Sequence, residues 1–443
     1  MKVCHPSIHK SIQLILACGL AAASLTAQDF YWTTASARSL ALGGVYVPSS
    51  DGAIDALAAN PAGLTALSSP TVDLNLTSIF ARGSFSNAVN SNVPLKDSPG
   101  VLPYGAFGAP IGHSRFSFGI GITPELMSVS NWRYVDAPGF AGASYGLQQQ
   151  RSAILAARLG VGMGVALTKK VDVGVSFGAV YNQNTLDAPY IFQSNPALAG
   201  LKTLLAMHTT GFGWNSSVGV IARPTDRLTV NLAWTSRTVI DSTGVARGDL
   251  SQQFAALGLA APSTFGYSAA VRNVLPQSVL AGVNWRVDGR WIFGLQGNWV
   301  NWNDAFTGLP VSLTNGSNSA INGLLSSTSI FDRVPLQWKD QYSIRGGVER
   351  LLTERLSILG GYVHSTNPVP ASTLSPLTAA IMTNQFSTGL GYRYARWRFD
   401  VAYGVGPSNQ ESVAKSALLY GEYSNSSVRI GTQSLTLDTS FHF

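Results

Sequence analysis

Apolar and polar residues alternate in segments of about ten residues that recur from Thr71 to the final residue, Phe443. In one such segment Trp397, Phe399 and Val401 alternate with Arg398 and Asp400. Successive side chains of a β-strand point to opposite faces, so each segment has one apolar face and one polar or small face. This alternation is typical of a transmembrane β-barrel, whose outer face meets hydrocarbon. After the N-terminus, no segment approaches the roughly 18 apolar residues of a membrane helix.

The pattern predicts an all-β fold, a transmembrane antiparallel barrel of about 14 strands, and bacterial barrels have even strand numbers. Short and long connections alternate along the chain, which places the short turns and both termini at the periplasmic end. The predicted strands are 71–80, 103–111, 114–123, 152–168, 171–183, 211–222, 228–236, 277–286, 290–302, 341–349, 356–363, 385–394, 397–405 and 433–443.

Composition agrees with a membrane protein more than with a soluble enzyme. Charged residues make up 12% of the 443 residues, where soluble domains usually carry about 25%. Residues 1–27 combine Lys2 and Lys10 with an apolar run and small residues before Gln28, which predicts a secretory signal peptide; a lipoprotein signal at Cys18 is the alternative. Both cysteines, Cys4 and Cys18, lie in this segment, so the mature protein would contain no thiol.

Residues 28–70 lack the alternation and are rich in small side chains. We interpret them as a hatch, a compact plug ahead of the barrel domain at 71–443. The alternative is a periplasmic tail, which would more commonly be polar and disordered.

Two long extracellular loops are unusually apolar. In 196–208, the leucines lie at the spacing of one helical stripe, and a weaker second case spans 250–261. Either the two predicted helices cover each other, or they form a surface groove that binds an apolar ligand. The candidate ligand-binding residues are Leu198, Leu201, Leu204, Leu205, Phe254 and Leu257.

A ligand carboxylate would need a cation near the apolar loops. The candidates are Lys202, Arg237 and Lys339, with Arg272 and Arg333 also in or beside loops; the alternative is that they are solvated or contact lipopolysaccharide. Arg345 and Arg398 would face inward, where we expect acidic partners such as Glu349 or Asp400.

Nothing in the chain predicts catalysis, a metal site or another cofactor. His113, His208, His364 and His442 are scattered without metal-ligand spacing, and no local arrangement supports a nucleophile and its base. The formal charge is +7, but the chain contains no run of Lys or Arg, so nucleic acid is not an expected partner. Anionic lipid headgroups or carboxylate ligands are more plausible partners.

The chain resembles the FadL-type outer-membrane transporters of long-chain fatty acids and their TodX branch, which transports aromatic hydrocarbons. The resemblance rests on tracts in order along the mature chain: Asn60-Pro61-Ala62-Gly63-Leu64, Leu275-Pro276-Gln277-Ser278-Val279, Trp299-Val300-Asn301-Trp302, Arg345-Gly346-Gly347-Val348-Glu349, Leu359-Gly360-Gly361-Tyr362, Asn367-Pro368-Val369-Pro370 and the terminal Phe443.

The resemblance implies a monomeric fourteen-stranded barrel in the outer membrane of a Gram-negative-type bacterium, closed by a hatch whose motif is Asn60, Pro61 and Ala62. It also implies ligand capture at extracellular loops, hatch movement, and lateral release at a kinked third strand, where Gly119 and Gly121, with Pro124, supply the kink. Phe443 would be the signal for the barrel-assembly machinery.

Three functions remain open at this level. The first is passive uptake of hydrophobic small molecules. The second is a structural or assembly role for the same scaffold in a secretion system, and the third is a porin for polar solutes.

Overall fold

The computed structural model describes residues 35–96 and 100–443, so the predicted signal peptide and both cysteines lie outside the described residues. Its nineteen strands are β1 (Thr71–Ser86), β2 (Val93–Pro94), β3 (Gly100–Pro110), β4 (Phe116–Val135), β5 (Leu147–Ala166), β6 (Val171–Ile191), β7 (Lys202–Thr225), β8 (Leu228–Thr235), β9 (Thr238–Asp249), β10 (Thr264–Leu275), β11 (Ser278–Val287), β12 (Trp291–Val300), β13 (Gly308–Thr314), β14 (Ile330–Pro335), β15 (Gln341–Leu351), β16 (Leu356–Ser365), β17 (Asn384–Tyr394), β18 (Trp397–Val413) and β19 (Ser426–His442).

The helices are short. They are α1 (Ala37–Ala41), α2 (Ala53–Ala58), α3 (Ser251–Ala256), α4 (Trp302–Ala305) and α5 (Ser319–Leu325), with 3-10 turns at Pro61–Ala66, Phe140–Gly142, Ala371–Thr373 and Leu419–Gly421. Among the described residues, none of these helices has the length and hydrophobicity needed to cross a membrane.

Fourteen of the strands close into an antiparallel barrel, which confirms the predicted fold class. The order is β1, β3 to β8, β11, β12 and β15 to β19, and β19 returns to β1 with Thr71 opposite His442. Each of the 14 predicted segments contributes one of these strands. Several strands run past their predicted ends, because their upper parts continue to pair above the barrel.

The alternation sorts side chains as predicted. Along β18, Trp397, Phe399 and Val401 are exposed on the outer face, whereas Arg398 and Asp400 are buried inside. These outer apolar side chains remain exposed, so this face is suited to lipid.

The other five strands extend the wall at the end of the barrel that carries the long loops. The hairpin β9–β10 pairs with the upper part of β7, and β10 pairs with the hairpin β13–β14. The sequence interpretation treated these segments as loops, since each stretch is interrupted by glycines or polar residues.

The helix predicted over 196–208 is wrong. Asn195 caps a turn at Ala197 and Leu198, Gly200 adopts a positive φ of 88°, and β7 then begins at Lys202. From there the chain pairs with β6 on one side and β9 on the other, and two ladders of backbone hydrogen bonds outweigh the helical spacing of the leucines.

Candidate functional site: the hatch, the lumen and a wall opening

The first hatch segment, residues 35–52, is held by ion pairs and polar contacts. The guanidinium of Arg38 contacts Glu349 Oε2 of β15 at 2.6 Å, and both side chains are nearly buried. Gln296 of β12 accepts from the Tyr46 amide at 2.8 Å and donates to the Gly44 carbonyl at 3.2 Å. This segment is therefore bound to the wall by groups that need polar partners when buried.

A second ionic contact fixes the end of this segment. Asp51 lies 3.0 Å from both Arg398 and His442, and it also pairs with Arg393. Burial alone would raise the pKa of the Asp51 carboxyl, but the His442 hydrogen bond and the charges of Arg398 and Arg393 hold it well below its usual range. Asp400 contacts Arg398 at 2.7 Å, as the sequence predicted.

The second hatch segment, residues 53–70, contains the Asn60-Pro61-Ala62 motif. Asn60 is fully buried, and its Oδ1 accepts from the Ala62 amide at 3.1 Å, which caps the 3-10 turn. Its Nδ2 donates to the carbonyls of Val220 and Leu232 at 3.3 Å. The motif thus contacts the barrel wall at β7 and β8 through neutral hydrogen bonds.

Glycines on the inner wall make room for this segment. A Cβ at Gly174 would lie 2.2 Å from the Ala62 nitrogen, and one at Gly219 would lie 1.9 Å from Asn60 Oδ1. Any larger side chain would push the motif off the wall. The same close approach of hatch atoms occurs at Gly108, Gly119, Gly162 and Gly164.

The third barrel strand, β4, is irregular at Glu125. Its pairing with β5 is continuous through Gly119 and Gly121 and shifts by one residue between Pro124 and Leu126. Of the predicted kink residues, Gly119 and Gly121 lie in regular pairing, which contradicts a kink at those positions, whereas the irregularity directly follows the third, Pro124. A Cβ at Gly119 would lie 2.8 Å from Leu64 of the hatch. Glu125 is the extra residue of a β-bulge. Because of it, odd-numbered and even-numbered side chains exchange faces in the part of β4 that follows.

The bulge coincides with a break in the backbone pairing of the barrel wall, which we call the opening. β3 pairs with β4 only from Gly105 opposite Ile122 to Pro110 opposite Ser117. Above this point β3 continues along β1 and β4 continues along β5, and no ladder pairing joins the two strands among the described residues. Every residue from Leu126 to Ser130 is buried, so neither face of this part of β4 is exposed.

One apolar cluster joins the hatch to this opening. We call it the gate cluster: on the hatch it contains Ala35, Ala53, Ile54, Ala56, Leu57, Leu64 and Leu67, and on the wall it contains Ile79, Leu102, Tyr104, Ala106, Met127, Val129, Ala153, Leu155, Ala157 and Tyr181. Leu102 and Met127, from the two separated strands, are both 2% exposed. Six of the seven hatch residues in the gate cluster belong to the second hatch segment.

The lumen beside the hatch contains charged and polar groups around a small cavity. A cavity of about 40 Å³ lies between Ala58, Pro124, Leu280 and Gln296, with the Glu125 side chain in its wall. Beside it Arg158 is buried and donates to Asn215 at 2.7 Å, Ser176 at 2.7 Å and the Leu57 carbonyl at 3.3 Å, with Glu125 3.8 Å away. A cation, Arg158, and a carboxylate, Glu125, thus lie beside the hatch.

The mouth of the barrel is closed by the connection between β16 and β17. Leu374, Ala379 and Ile381 are buried in an apolar cluster with Trp132, and Trp132 Nε1 donates to the Pro376 carbonyl at 2.9 Å. Aromatic rings at Trp302, Phe306 and Trp338 continue this cluster with centroids 4.9–5.0 Å apart. If an apolar molecule entered here, apolar contacts between these side chains would be replaced by apolar contacts with the molecule.

The structure brings together half of the predicted apolar loop residues. Leu198, Leu205 and Phe254 are buried in one cluster, and Leu201 packs at its edge. Leu204 lies on the other face of β7, and Leu257 is 38% exposed. Of the two alternatives, mutual covering describes this arrangement better than an open groove.

The three predicted ligand cations lie apart. Lys202 is fully buried, contacts Asp136 at 2.7 Å and lies 3.8 Å from Glu422, whose pKa burial raises to about 7. Arg237 is exposed beside a cavity of about 340 Å³ that Trp234 and Gln277 also line. Lys339 is exposed, and its backbone amide donates to the Pro368 carbonyl.

The last of the predicted site residues is the C-terminal Phe443. Phe443 is exposed, packs edge to face on Phe441 at 4.9 Å, and its amide donates to the Pro70 carbonyl at 3.0 Å. Within the described residues no group of three or more His, Cys, Asp or Glu side chains could hold a metal ion.

The sequence interpretation missed Glu125, Arg158 and the Arg38–Glu349 pair. Arg38 is the one cation between residues 35 and 70, and a lone arginine in an Ala- and Ser-rich segment is the signal that could have indicated a buried partner. Arg158 offered a similar signal in an apolar strand.

The family follows from the sequence as a whole. Residues 16–442 match the model of the outer membrane protein transport protein family (OMPP1/FadL/TodX). The chain belongs to this family. It is therefore an outer-membrane transport protein, as expected, and the membership agrees with the expectation that it is not an enzyme. In this family the short-turn end of the barrel is periplasmic and the long-loop end is extracellular.

Solved structures agree on the fold. A Pseudomonas aeruginosa FadL homologue has 15% identity and a TM-score of 0.73, covering 94% of this chain and 100% of that one. The Pseudomonas putida toluene transporter TodX has 18% identity and a TM-score of 0.73 with the same coverage, and the Ralstonia pickettii toluene transporter TbuX has 17% and 0.70, covering 94% and 99%. Comparison with curated proteins gives no significant match.

Proposed function

We propose that this protein takes up hydrophobic small molecules, long-chain fatty acids or hydrocarbons, by passive transport across the outer membrane. The ligand is captured at the extracellular loops, enters the lumen, displaces the second hatch segment and leaves sideways between β3 and β4. Toluene is the compound named for two of the structural neighbours, which supports the hydrocarbon class.

The observation that carries the proposal is the gate cluster. Its hatch side chains Leu57 and Leu64 pack in the same cluster as Leu102 and Met127 beside the wall opening. A hydrophobic ligand can replace apolar contacts, so it can take the place of the second hatch segment at little cost in free energy.

Passive transport is sufficient on energetic grounds. Apolar surface removed from water gains roughly 25 cal/mol per Å², so a ligand that buries about 200 Å² gains roughly 5 kcal/mol. Release into the bilayer keeps that surface away from water. A lateral exit therefore needs no energy source, whereas a periplasmic exit would lose the gain.

Deletion of Glu125 tests the lateral exit. Removing the bulge residue restores the register of β4 and should allow it to pair with β3. We expect proteoliposomes with the deletion variant to lose uptake of labelled oleate and toluene while the barrel stays folded. Deletion of a residue in the exposed turn at Asp288 is the matched control. Undiminished uptake by the folded variant would contradict lateral release.

The same assay separates the alternatives. A porin would pass glucose or ions through the intact protein. A structural protein of a secretion system would take up none of these solutes, and purified protein would retain no lipid or hydrocarbon by mass spectrometry. Deleting residues 28–69 should leave a folded barrel that conducts ions; failure to assemble would assign the hatch to folding.

A further inference from the structure

Basic side chains surround the periplasmic end of the barrel. Each of its six short turns carries an exposed cation, and we call these six residues the basic rim: Arg115, Lys170, Arg227, Arg290, Arg355 and Arg396. Lys169, Arg286 and Arg350 add three exposed cations beside them. The same turns contain three acids, Asp226, Asp288 and Glu354. Positive charge is therefore in excess around the whole circumference of this end of the barrel.

The charges of the basic rim are not neutralised by ion pairs within the described chain. Ion pairs at this end join Arg223 to Asp172 and Arg393 to Asp51, and they involve other residues. Where rim side chains do bond, the acceptor is a neutral carbonyl: Lys170 Nζ contacts Pro224 O at 3.0 Å. The rim therefore presents positive charge to whatever lies beyond it.

Aromatic side chains place the rim at the level of lipid headgroups. Trp291 and Trp397 face outward at the same end of the barrel, and Trp397 stacks on Phe399 with centroids 6.0 Å apart. The Arg350 guanidinium lies 4.7 Å from the centre of the Trp291 ring. Tryptophan girdles of this kind mark the boundary between hydrocarbon and headgroups. The rim charges are thus within reach of phosphates in the periplasmic leaflet.

We propose that the basic rim binds the phosphates of anionic phospholipids in the periplasmic leaflet of the outer membrane. A soluble acidic protein would contact one sector of the ring, whereas lipids contact all of it, and the cations are distributed over all six turns. Basic groups at an anionic membrane surface attract it within about one Debye length, roughly 8–10 Å. The interaction fixes the depth of the barrel in the bilayer and does not depend on transport.

The test uses the full chain in nanodiscs of phosphatidylcholine with a minor fraction of phosphatidylglycerol. The measurement is the ratio of the two lipids that native mass spectrometry finds bound to the released protein. For the wild type we expect phosphatidylglycerol to be enriched about fivefold over the bulk composition. Raising NaCl to a screening concentration should reduce the enrichment, and this arm needs no variant.

The rim variant changes Arg115, Lys170, Arg290 and Arg355 to Gln. Its matched control changes four exposed extracellular cations to Gln: Arg82, Arg247, Arg333 and Lys415. We expect the rim variant to fall to within twofold of the bulk composition and the control to keep the wild-type ratio, with both barrels folded by circular dichroism. A wild type without headgroup preference, or equal losses in variant and control, would overturn the proposal; in the first case an acidic periplasmic protein would be the better occupant.

Discussion

The two hatch segments are attached to the same barrel by different chemistry. The first is tied to β15, β18 and β19 through Arg38 and Asp51, whose charges are buried against charged partners. The second lies against β3 to β8 mainly through apolar contacts and the neutral hydrogen bonds of Asn60. It also makes single hydrogen bonds to charged groups of the barrel, from Arg158 to the Leu57 carbonyl and from Thr65 to Asp172. A hydrophobic ligand can substitute for apolar contacts but cannot replace a buried ion pair. We therefore propose that the second segment is the part that a ligand moves and that the first is its anchor.

The largest expected effect comes from breaking the anchor. Arg38→Met removes the hatch partner of the nearly buried Glu349, which keeps only Arg398 at 3.7 Å. Because Arg398 still compensates part of the charge, we expect a cost toward the lower end of the range of about 3–5 kcal/mol for breaking a buried ion pair. We expect the first segment to lose amide protection in hydrogen exchange and the barrel to conduct ions in planar bilayers. Arg272→Met, which removes an exposed pair with Asp241, is the control and should cost less than about 1 kcal/mol. An Arg38→Met barrel that conducts no ions would contradict the role of Arg38 as an anchor of the first segment.

A smaller effect is expected from crowding the second segment. Gly174→Ala places a Cβ against Ala62, and overpacking of this kind costs about 1–3 kcal/mol. Exchange should rise in residues 53–67 and stay low in residues 37–47. Gly346→Ala on β15, where a Cβ would have no atom within 4 Å, is the matched control. If both hatch segments loosen together, the two do not behave as separate units.

The sequence predicted the barrel well because each strand carries its own alternation. The family resemblance indicated a kink near Pro124, but the sequence could not identify Glu125 as the extra residue, because only the pairing with the partner strand reveals the shift. It could not predict the Arg38–Glu349 pair either, because the two residues are 311 positions apart. In 203–207 four of the five residues are apolar, so the segment carries no apolar–polar alternation, and the pairing with β6 and β9 decided between strand and helix.

Removing the motif side chain should have a more modest effect. Asn60→Ala loses the cap on Ala62 and two bonds to the wall, which costs about 1–2 kcal/mol. We expect faster hydrogen exchange at residues 60–66 and easier uptake of a hydrophobic ligand. Asn90→Ala, in an extracellular loop, is the control for loss of a turn amide. Slower uptake in Asn60→Ala would mean that the motif guides the ligand instead of restraining the hatch.

The smallest effect is a response to acid. The pKa of Asp51 is lower in the folded hatch than in the unfolded chain, so its ion pairs stabilise the hatch at neutral pH. That stabilisation is lost as the pH falls below about 3.9. Exchange in the first segment should therefore rise between pH 4 and pH 2, and Asp51→Asn should remove most of this change. An unchanged acid response in Asp51→Asn would assign it to other carboxyls.

The most direct test of the central claim locks the second hatch segment to the wall. Thr65 Oγ1 contacts Asp172 Oδ2 of β6 at 2.8 Å, so we place cysteines at these two positions and verify the disulfide by mass spectrometry. Each single cysteine variant is a control. The measurement is uptake of labelled oleate or toluene by proteoliposomes before and after reduction. We predict little uptake by the oxidised protein and recovery on reduction. Equal uptake in both states would contradict movement of this segment during transport.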